Sequence, residues 1–313
     1  MSIGIILAKQ VAVITLLMAV GIFAKKRGIL NLAAAKNISD FVLIVITPML
    51  MLQIILEDFA VEKFRELGIG MVVAAIFHLM AIGVTKLLIR PDPSGIHNLE
   101  RFGAICSNAG FMGLPLMVAV LGPEGRVHSA AFLTVMTVYF WTHGLMLIKG
   151  DKGVSAKEIL TAPGIVGLAA GLAIFFLGIR LPEPAMHTID YLASMNTPLP
   201  TIITGVFVAD LDFKKAFTNL RAYWAVAVRL LVLPGVFILL LWLLRVPYWL
   251  PGGGTIALAA VISCCCTCAA NTVMMPVSYG GDVQHGASLV VMSMLGSLVT
   301  IPLVATVAEM VFL

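Results

Sequence analysis

The stretch Ile105 to Val118, "ICSNAGFMGLPLMV", decides how this chain must fold. It sits inside a long apolar run, yet it carries Asn108, Gly110, Gly113 and Pro115 near its middle. Proline lacks an N–H, and its ring clashes with the carbonyl four residues back, here that of Phe111, so a helix through this stretch is expected to break or kink. What such a break means depends on the solvent around it.

Composition identifies that solvent. Of 313 residues, 60% are hydrophobic and 12% charged, and the mean hydropathy is +1.06. Soluble domains are about half apolar and about a quarter charged, so this is a membrane protein. A spanning helix needs about 20 mostly apolar residues. Ten segments meet or approach that length, at 5–24, 38–56, 67–89, 102–121, 127–148, 162–179, 190–209, 222–244, 255–279 and 286–311. The fold expected is an all-α membrane protein of ten transmembrane helices, with the lipid bilayer as its surroundings.

Charge sets the orientation. The basic cluster Lys25, Lys26 and Arg27 follows the first apolar run, the reverse of the order in a cleaved signal peptide, so that run is read as a retained span. Alternate connections then hold Lys25, Lys26, Arg27, Lys36, Lys86, Arg90, Arg101, Lys149, Lys152, Lys157, Lys214, Lys215 and Arg221 on one side. The other side holds only Lys9, Lys63, Arg65, Arg126, Arg180 and Arg245. Positive charge marks the cytoplasmic side. Both termini are therefore expected on the extracytoplasmic side of a cell (inner) membrane. The net charge of +4 is topological and implies no nucleic-acid partner.

Two stretches repeat one another. In "SDFVLIVITPMLML" (Ser39 to Leu52) and "IDYLASMNTPLPTI" (Ile189 to Ile202), Asp40, Phe41, Thr47 and Pro48 recur as Asp190, Tyr191, Thr197 and Pro198 at one offset. This aligns the second span with the seventh and implies two five-span halves, 1–150 and 151–313. Five is odd, so the second half is inverted. The fourth span then corresponds to the ninth, which is also interrupted, by Asn271 and by Pro276, where the carbonyl at risk is that of Thr272. Broken helices at matching places in two halves point to a transport site, because open backbone at membrane depth survives only within protein or beside a water-filled cavity. The half-helix after each break presents free N–H groups and a positive dipole end. Asn108 and Asn271 add further donors, and neither segment holds a carboxylate. A small organic anion therefore suits the site better than a cation. The same glycines and prolines would also serve close packing of two helices.

These residues are familiar as a set. "SNAGFMGLPL" (Ser107 to Leu116), "WTHG" (Trp141 to Gly144), "AVRLLVLP" (Ala227 to Pro234) and "AANTVMMPVSYGGD" (Ala269 to Asp282) resemble the auxin efflux carrier family, which includes bacterial permeases for malate and related carboxylates. The resemblance covers essentially the whole chain. It implies two inverted five-helix repeats whose broken helices 4 and 9 cross near the midplane. It further implies a scaffold of spans 1, 2, 6 and 7 that dimerises, a mobile transport domain of spans 3–5 and 8–10, and elevator-type movement of a carboxylate. Asn108 matches the family's fourth-helix asparagine, Pro115 its crossover proline and Asn271 its ninth-helix asparagine. Thr267 departs from the family, which usually has a proline there, so the ninth break is expected further on, near Pro276.

The expected binding residues are Asn108, Asn271, Ser107, Thr272 and, from the second span, Gln53, with Gly110, Gly113, Pro115 and Pro276 shaping the breaks. Arg229 is expected to snorkel to the interface or pair with a carboxylate, with attraction of anions as the alternative. His143, like His78, lies well inside a span and is a candidate for proton coupling or for a packing role. Asp40 and Asp190 suit helix N-termini. Four of the five cysteines crowd into "SCCCTCAANTVMMP" (Ser263 to Pro276). On a helix, Cys264, Cys265 and Cys268 share one arc while Cys266 points away, which favours small packing residues over a metal or disulfide centre. No cofactor is expected. An intramembrane thiol or metal enzyme using Cys106, and a non-transporting ligand sensor, are the alternatives to a carrier.

Overall fold

The computed structural model describes residues 3–56, 63–150 and 153–313. Lys152, one of the cations used to orient the chain, lies outside the described residues. Among the described residues the fold is all helix, without a named strand. In order, α1 is Ile3–Lys26, α2 Leu32–Leu56, α3 Lys63–Leu88, α4 Ile96–Ile105, α5 Leu114–Leu121 and α6 Gly125–Tyr139, which runs on to Lys149. Then follow α7 Ala156–Leu160, α8 Pro163–Phe176, α9 Glu183–Ser194, α10 Pro198–Val208 and α11 Phe213–Thr218. The chain ends with α12 Leu220–Leu243, α13 Gly253–Cys264, α14 Asn271–Tyr279 and α15 Val283–Phe312.

Among the described residues, six helical stretches are long and apolar enough to cross a membrane: Ala8–Lys26, Leu32–Leu56, Phe64–Leu88, Leu114–Lys149, Leu220–Leu243 and Val283–Phe312. The other expected spans are divided or short. The fourth is split between α4 and α5, the ninth between α13 and α14, and the seventh between α9 and α10; α8, in the place of the sixth, has 14 residues. Polarity is distributed as a bilayer requires. Leu16, Leu79, Leu87, Phe176 and Leu220 point outward, between 68% and 82% exposed, whereas Arg229 and His78 are buried. In water such a surface would cost about 25 cal/mol for each Å² left exposed.

Helix contacts are set by small residues. At the approach of α1 to α10, a Cβ on Gly21 would strike the Ile202 carbonyl, and one on Gly205 the Met18 carbonyl. In α8, a Cβ on Gly167 would lie 2.5 Å from the Cα of Pro48 in α2. Absence of a side chain lets these backbones approach, as helix packing in lipid demands. A second device recurs along α2, α5 and α12. Each contains or follows one π-helical turn, Val42–Ile46, Ala109–Gly113 or Val228–Val232, and each turn ends two residues before a proline, Pro48, Pro115 or Pro234. A widened turn frees space for the proline ring and absorbs the missing N–H.

Candidate transport site

The first break follows α4. Cys106 is extended (φ −77°, ψ 104°), and the chain turns through Asn108 before the π turn that leads into α5. The second break follows α13 and ends at Ala270, ahead of Asn271. These two non-helical pieces pair with one another. Ser107 and Cys268 form an isolated antiparallel bridge, in which the Asn108 N–H donates to the Thr267 carbonyl (2.9 Å) and the Ala269 N–H to the Cys106 carbonyl (3.1 Å). Backbone groups freed by both breaks thus satisfy each other, as a water-poor interior requires.

The position of the second break corrects the expectation from sequence. It lies at Thr267, where the family's proline is missing, and Pro276 falls inside α14. The helix tolerates Pro276 because the Thr272 carbonyl it leaves free packs against Gly286 of α15, where no Cβ intrudes. Pro115 likewise sits in the first turn of α5, past its break rather than in it. The extended pairing of residues 106–108 with 267–269 keeps both chains open without a proline at either point.

A cavity of about 50 Å³ adjoins this pairing, lined by Ser107, Asn108, Gly110, Ala269 and Asn271 together with Thr47, Leu50, Met51, Leu133, Met136, Thr137, Phe140, Trp141 and Asn196. That is room for a few waters. Leu50, Gly110, Leu133 and Asn196 also line a vestibule of about 800 Å³, so the two spaces share a wall. Gln53, Pro115, Arg126, Asp190 and Thr197 are among the vestibule's other residues. Among the described residues, no acidic or basic side chain lines the inner cavity. Its polar groups include amides, hydroxyls and backbone; the first N–H groups after Asn108 have no acceptor within their own helix, whereas beyond Ala270 those of Thr272 and Val273 donate to the Ala269 and Ala270 carbonyls (both 2.9 Å). Asn108 donates through Nδ2 to the Thr267 hydroxyl (3.3 Å), and its Oδ1 is buried without a partner.

The residues singled out in the sequence divide accordingly. Asn108, Asn271, Ser107 and Gly110 come together at the inner cavity, while Gln53 and Pro115 line the vestibule. Gln53 is held there by a 2.8 Å bond from its Nε2 to Asp190. The Ser107 hydroxyl donates to the Ser263 carbonyl, which leaves its lone pairs for other use. Thr272 is fully buried and lines neither space; its methyl faces Gly103. Gly113 packs beside the Cys266 sulfur, 3.3 Å from where a Cβ would stand. Pro276 borders a separate cavity of about 270 Å³ with Ser94, Asn98 and Gly280. The His143 ring lies tilted against that of Tyr139, 5.7 Å between centroids, and lines neither of these two spaces.

Arg229 does not snorkel. It is fully buried and donates from Nε and Nη2 to the Cys266 carbonyl (3.0 and 2.7 Å) and from Nη1 to the Ala104 carbonyl (3.0 Å). Thr47 and Asn196 were not among the expected binding residues, although a signal existed. The recurring Thr-Pro pair places Thr47 on the inner cavity and Thr197 on the vestibule, and Asn196 precedes the second copy.

Two polar contacts stand apart from the cavity. Ser278 of α14 donates to Asp40 of α2, which also receives Lys36 at 2.7 Å. At the start of α4, the buried Glu100 accepts Arg221 Nη2 (2.7 Å) and Nε (3.1 Å), with the His285 ring at 3.4 Å. Burial alone would raise the Glu100 carboxyl, but the His285 ring and the Arg221 guanidinium beside it hold it below the usual carboxylate range.

An apolar exterior, span-length helices and a polar cavity beside two paired helix breaks define a helical membrane protein with an interior polar site. Comparison with known families fixes the group. This chain belongs to the family described as membrane transport protein, which matches it twice, over residues 6–159 and 152–305, in accord with its resemblance to auxin efflux carriers. An uncharacterized transporter of Methanocaldococcus jannaschii is similar to it, 24% identical over 213 residues, or 63% of this chain and 67% of that protein.

Proposed function

We propose that this protein is a secondary transporter of a small organic anion, a carboxylate of the malate or aromatic weak-acid type. The observation that carries this reading is the inner cavity, where two asparagines and the N-terminal ends of two half-helices converge without a carboxylate among the lining residues. Asn108 and Asn271 donate to the substrate carboxylate, the first backbone N–H groups of the half-helices add their dipoles, and Ser107, Thr47 and Asn196 complete the polar lining. Gln53 and Arg126 stand on the approach through the vestibule.

The architecture that goes with this function has ten spans in two inverted halves, residues 1–150 and 151–313, with helices 4 and 9 crossing near the midplane. Spans 1, 2, 6 and 7 form a scaffold and homodimer interface, and the remaining spans carry the substrate past it as an elevator. With both termini outside, the vestibule opens to the extracytoplasmic face, and the Ser278 to Asp40 contact lies on the closed cytoplasmic side. The inner cavity, at about 50 Å³, is smaller than a dicarboxylate, so Leu50 and Leu133 must part to admit one. Uptake or exchange of labelled carboxylates in proteoliposomes tests the proposal. Specific binding without any flux would identify a sensor on the same fold instead.

A further inference from the structure

Arg229 is the least expected residue in the molecule. A guanidinium with no exposed surface sits at membrane depth, and every partner recorded for it is a backbone carbonyl. Both carbonyls belong to the breaks. Ala104 is in the last turn of α4, and Cys266 follows the end of α13, so each lies at the negative end of a half-helix dipole. Two such ends brought together are unfavourable without a cation. In transporters with broken helices, these carbonyl ends are where a coupling sodium or proton is held, while the opposite ends face an anionic substrate.

We propose that Arg229 is a permanent, tethered cation occupying the place of a coupling ion, so that the site binds its carboxylate without sodium. The geometry makes the substitution specific. Cys266, which receives two of the guanidinium's bonds, is followed by Thr267, whose carbonyl and hydroxyl receive the Asn108 backbone and side chain. Ala104 stands two residues before Cys106, whose carbonyl accepts the Ala269 N–H beside the bridge. One planar, always-charged fork therefore ties together the two ends on which the substrate-facing asparagine depends. Its aim comes from the π turn Val228–Val232, whose second residue is Arg229. Arg229 acts through these carbonyls and does not line the cavity; it is a positioning residue that also supplies fixed charge.

This inference rests on the carboxylate reading, and its test separates the two. Wild type, Arg229→Ala and Arg229→Lys are compared by thermal melting and by equilibrium binding of labelled malate and indole-3-acetate. Sodium, potassium and N-methylglucamine chlorides are used at one ionic strength. In wild type, binding and melting should agree within about twofold and a degree or two across the salts, since a charge that never leaves cannot be supplied by the medium. Arg229→Ala should bind at least about tenfold more weakly, in line with a lost charged hydrogen-bond anchor. Millimolar guanidinium should raise its melting temperature and restore binding while leaving wild type unchanged. Arg229→Lys should remain independent of sodium and bind between the two.

Sodium-dependent binding by wild type overturns the proposal, as does a folded Arg229→Ala that binds like wild type or responds to guanidinium no more than wild type does. If Arg229→Ala yields no folded protein even with guanidinium, the wild-type salt comparison decides. If neither carboxylate binds wild type in any salt, the substrate class has failed, and the guanidinium effect on melting still decides the role of Arg229.

Discussion

Replacing Asn108 separates substrate recognition from scaffolding more cleanly than any other single change. In the structure its backbone is held by Thr267 at 2.9 Å, a bond that any residue retains, while its side chain makes one long bond of 3.3 Å to the Thr267 hydroxyl. Asn108→Ala therefore costs the fold no more than one ordinary hydrogen bond, about 0.5–1.5 kcal/mol. A hydrogen bond to a charged carboxylate is worth about 1.5–3 kcal/mol, so the same change should weaken substrate binding roughly tenfold to 150-fold. Asn108→Asp keeps the shape and replaces two donors by a negative charge, which should abolish binding of an anion. Equilibrium binding and thermal melting, measured on the same purified preparations, give both quantities. Unchanged affinity in Asn108→Ala, or tighter binding in Asn108→Asp, would refute the placement of the anion at this cavity.

Three further perturbations probe the frame around it. Gly205→Val places a side chain against the Met18 carbonyl and should destabilise by at least about 1–3 kcal/mol, whereas Gly83→Ala, with open space around it, should be neutral or stabilise by up to about 1 kcal/mol; melting curves of the pair check this. Pro115→Ala should retain binding within about twofold of wild type, since each 1.4 kcal/mol is tenfold and no contact of the break is removed. The bridge between Ser107 and Cys268 keeps α4 and α5 apart without the proline; loss of binding in a folded Pro115→Ala would show that the proline itself maintains the site. Glu100 has a lowered carboxyl in the fold, so its stabilising effect is present above the unfolded value of about 4.3 and is lost as pH falls through the folded value. Wild type should thus outlast Glu100→Gln in melting experiments at pH 7, and the gap should close in acid.

The sequence carried the membrane character, the internal repeat and the presence of both interruptions, because hydropathy and spacing act locally. Asn108 and Asn271 line one cavity for reasons that a single chain displays, since a polar amide a few residues before a proline in an apolar run has few other uses. The exact place of the second break was not legible. Pro276 looks disruptive in sequence, but Gly286 on another helix accommodates its orphaned carbonyl, and the actual opening at Thr267 is held by a pairing with residues 106–108. Arg229 was misread for the same reason. A long cationic side chain in an apolar helix suggests escape to the interface, and only the arrangement of α4, α12 and α13 reveals two carbonyls awaiting it. Thr272 neighbours Asn271 in sequence yet faces Gly103, since successive helical residues point about 100° apart.

That angular step gives the π turns a meaning beyond accommodating proline. A π turn absorbs one residue more than an α-helix needs, so everything beyond it is turned back by about 100° and set back by about 1.5 Å relative to the same sequence wound as a continuous α-helix. Leu50 and Gln53 in α2 lie beyond Val42–Ile46, and Pro115 and Val118 in α5 lie beyond Ala109–Gly113; all four line the vestibule. Winding either turn as α-helix with its length unchanged would put the wrong side toward the passage, whereas deleting one residue from it would restore a plain helix with the same side inward. The two π turns are therefore the phase settings of the pathway, and the way the chain winds at these points is as much a part of its chemistry as the identity of any residue along it.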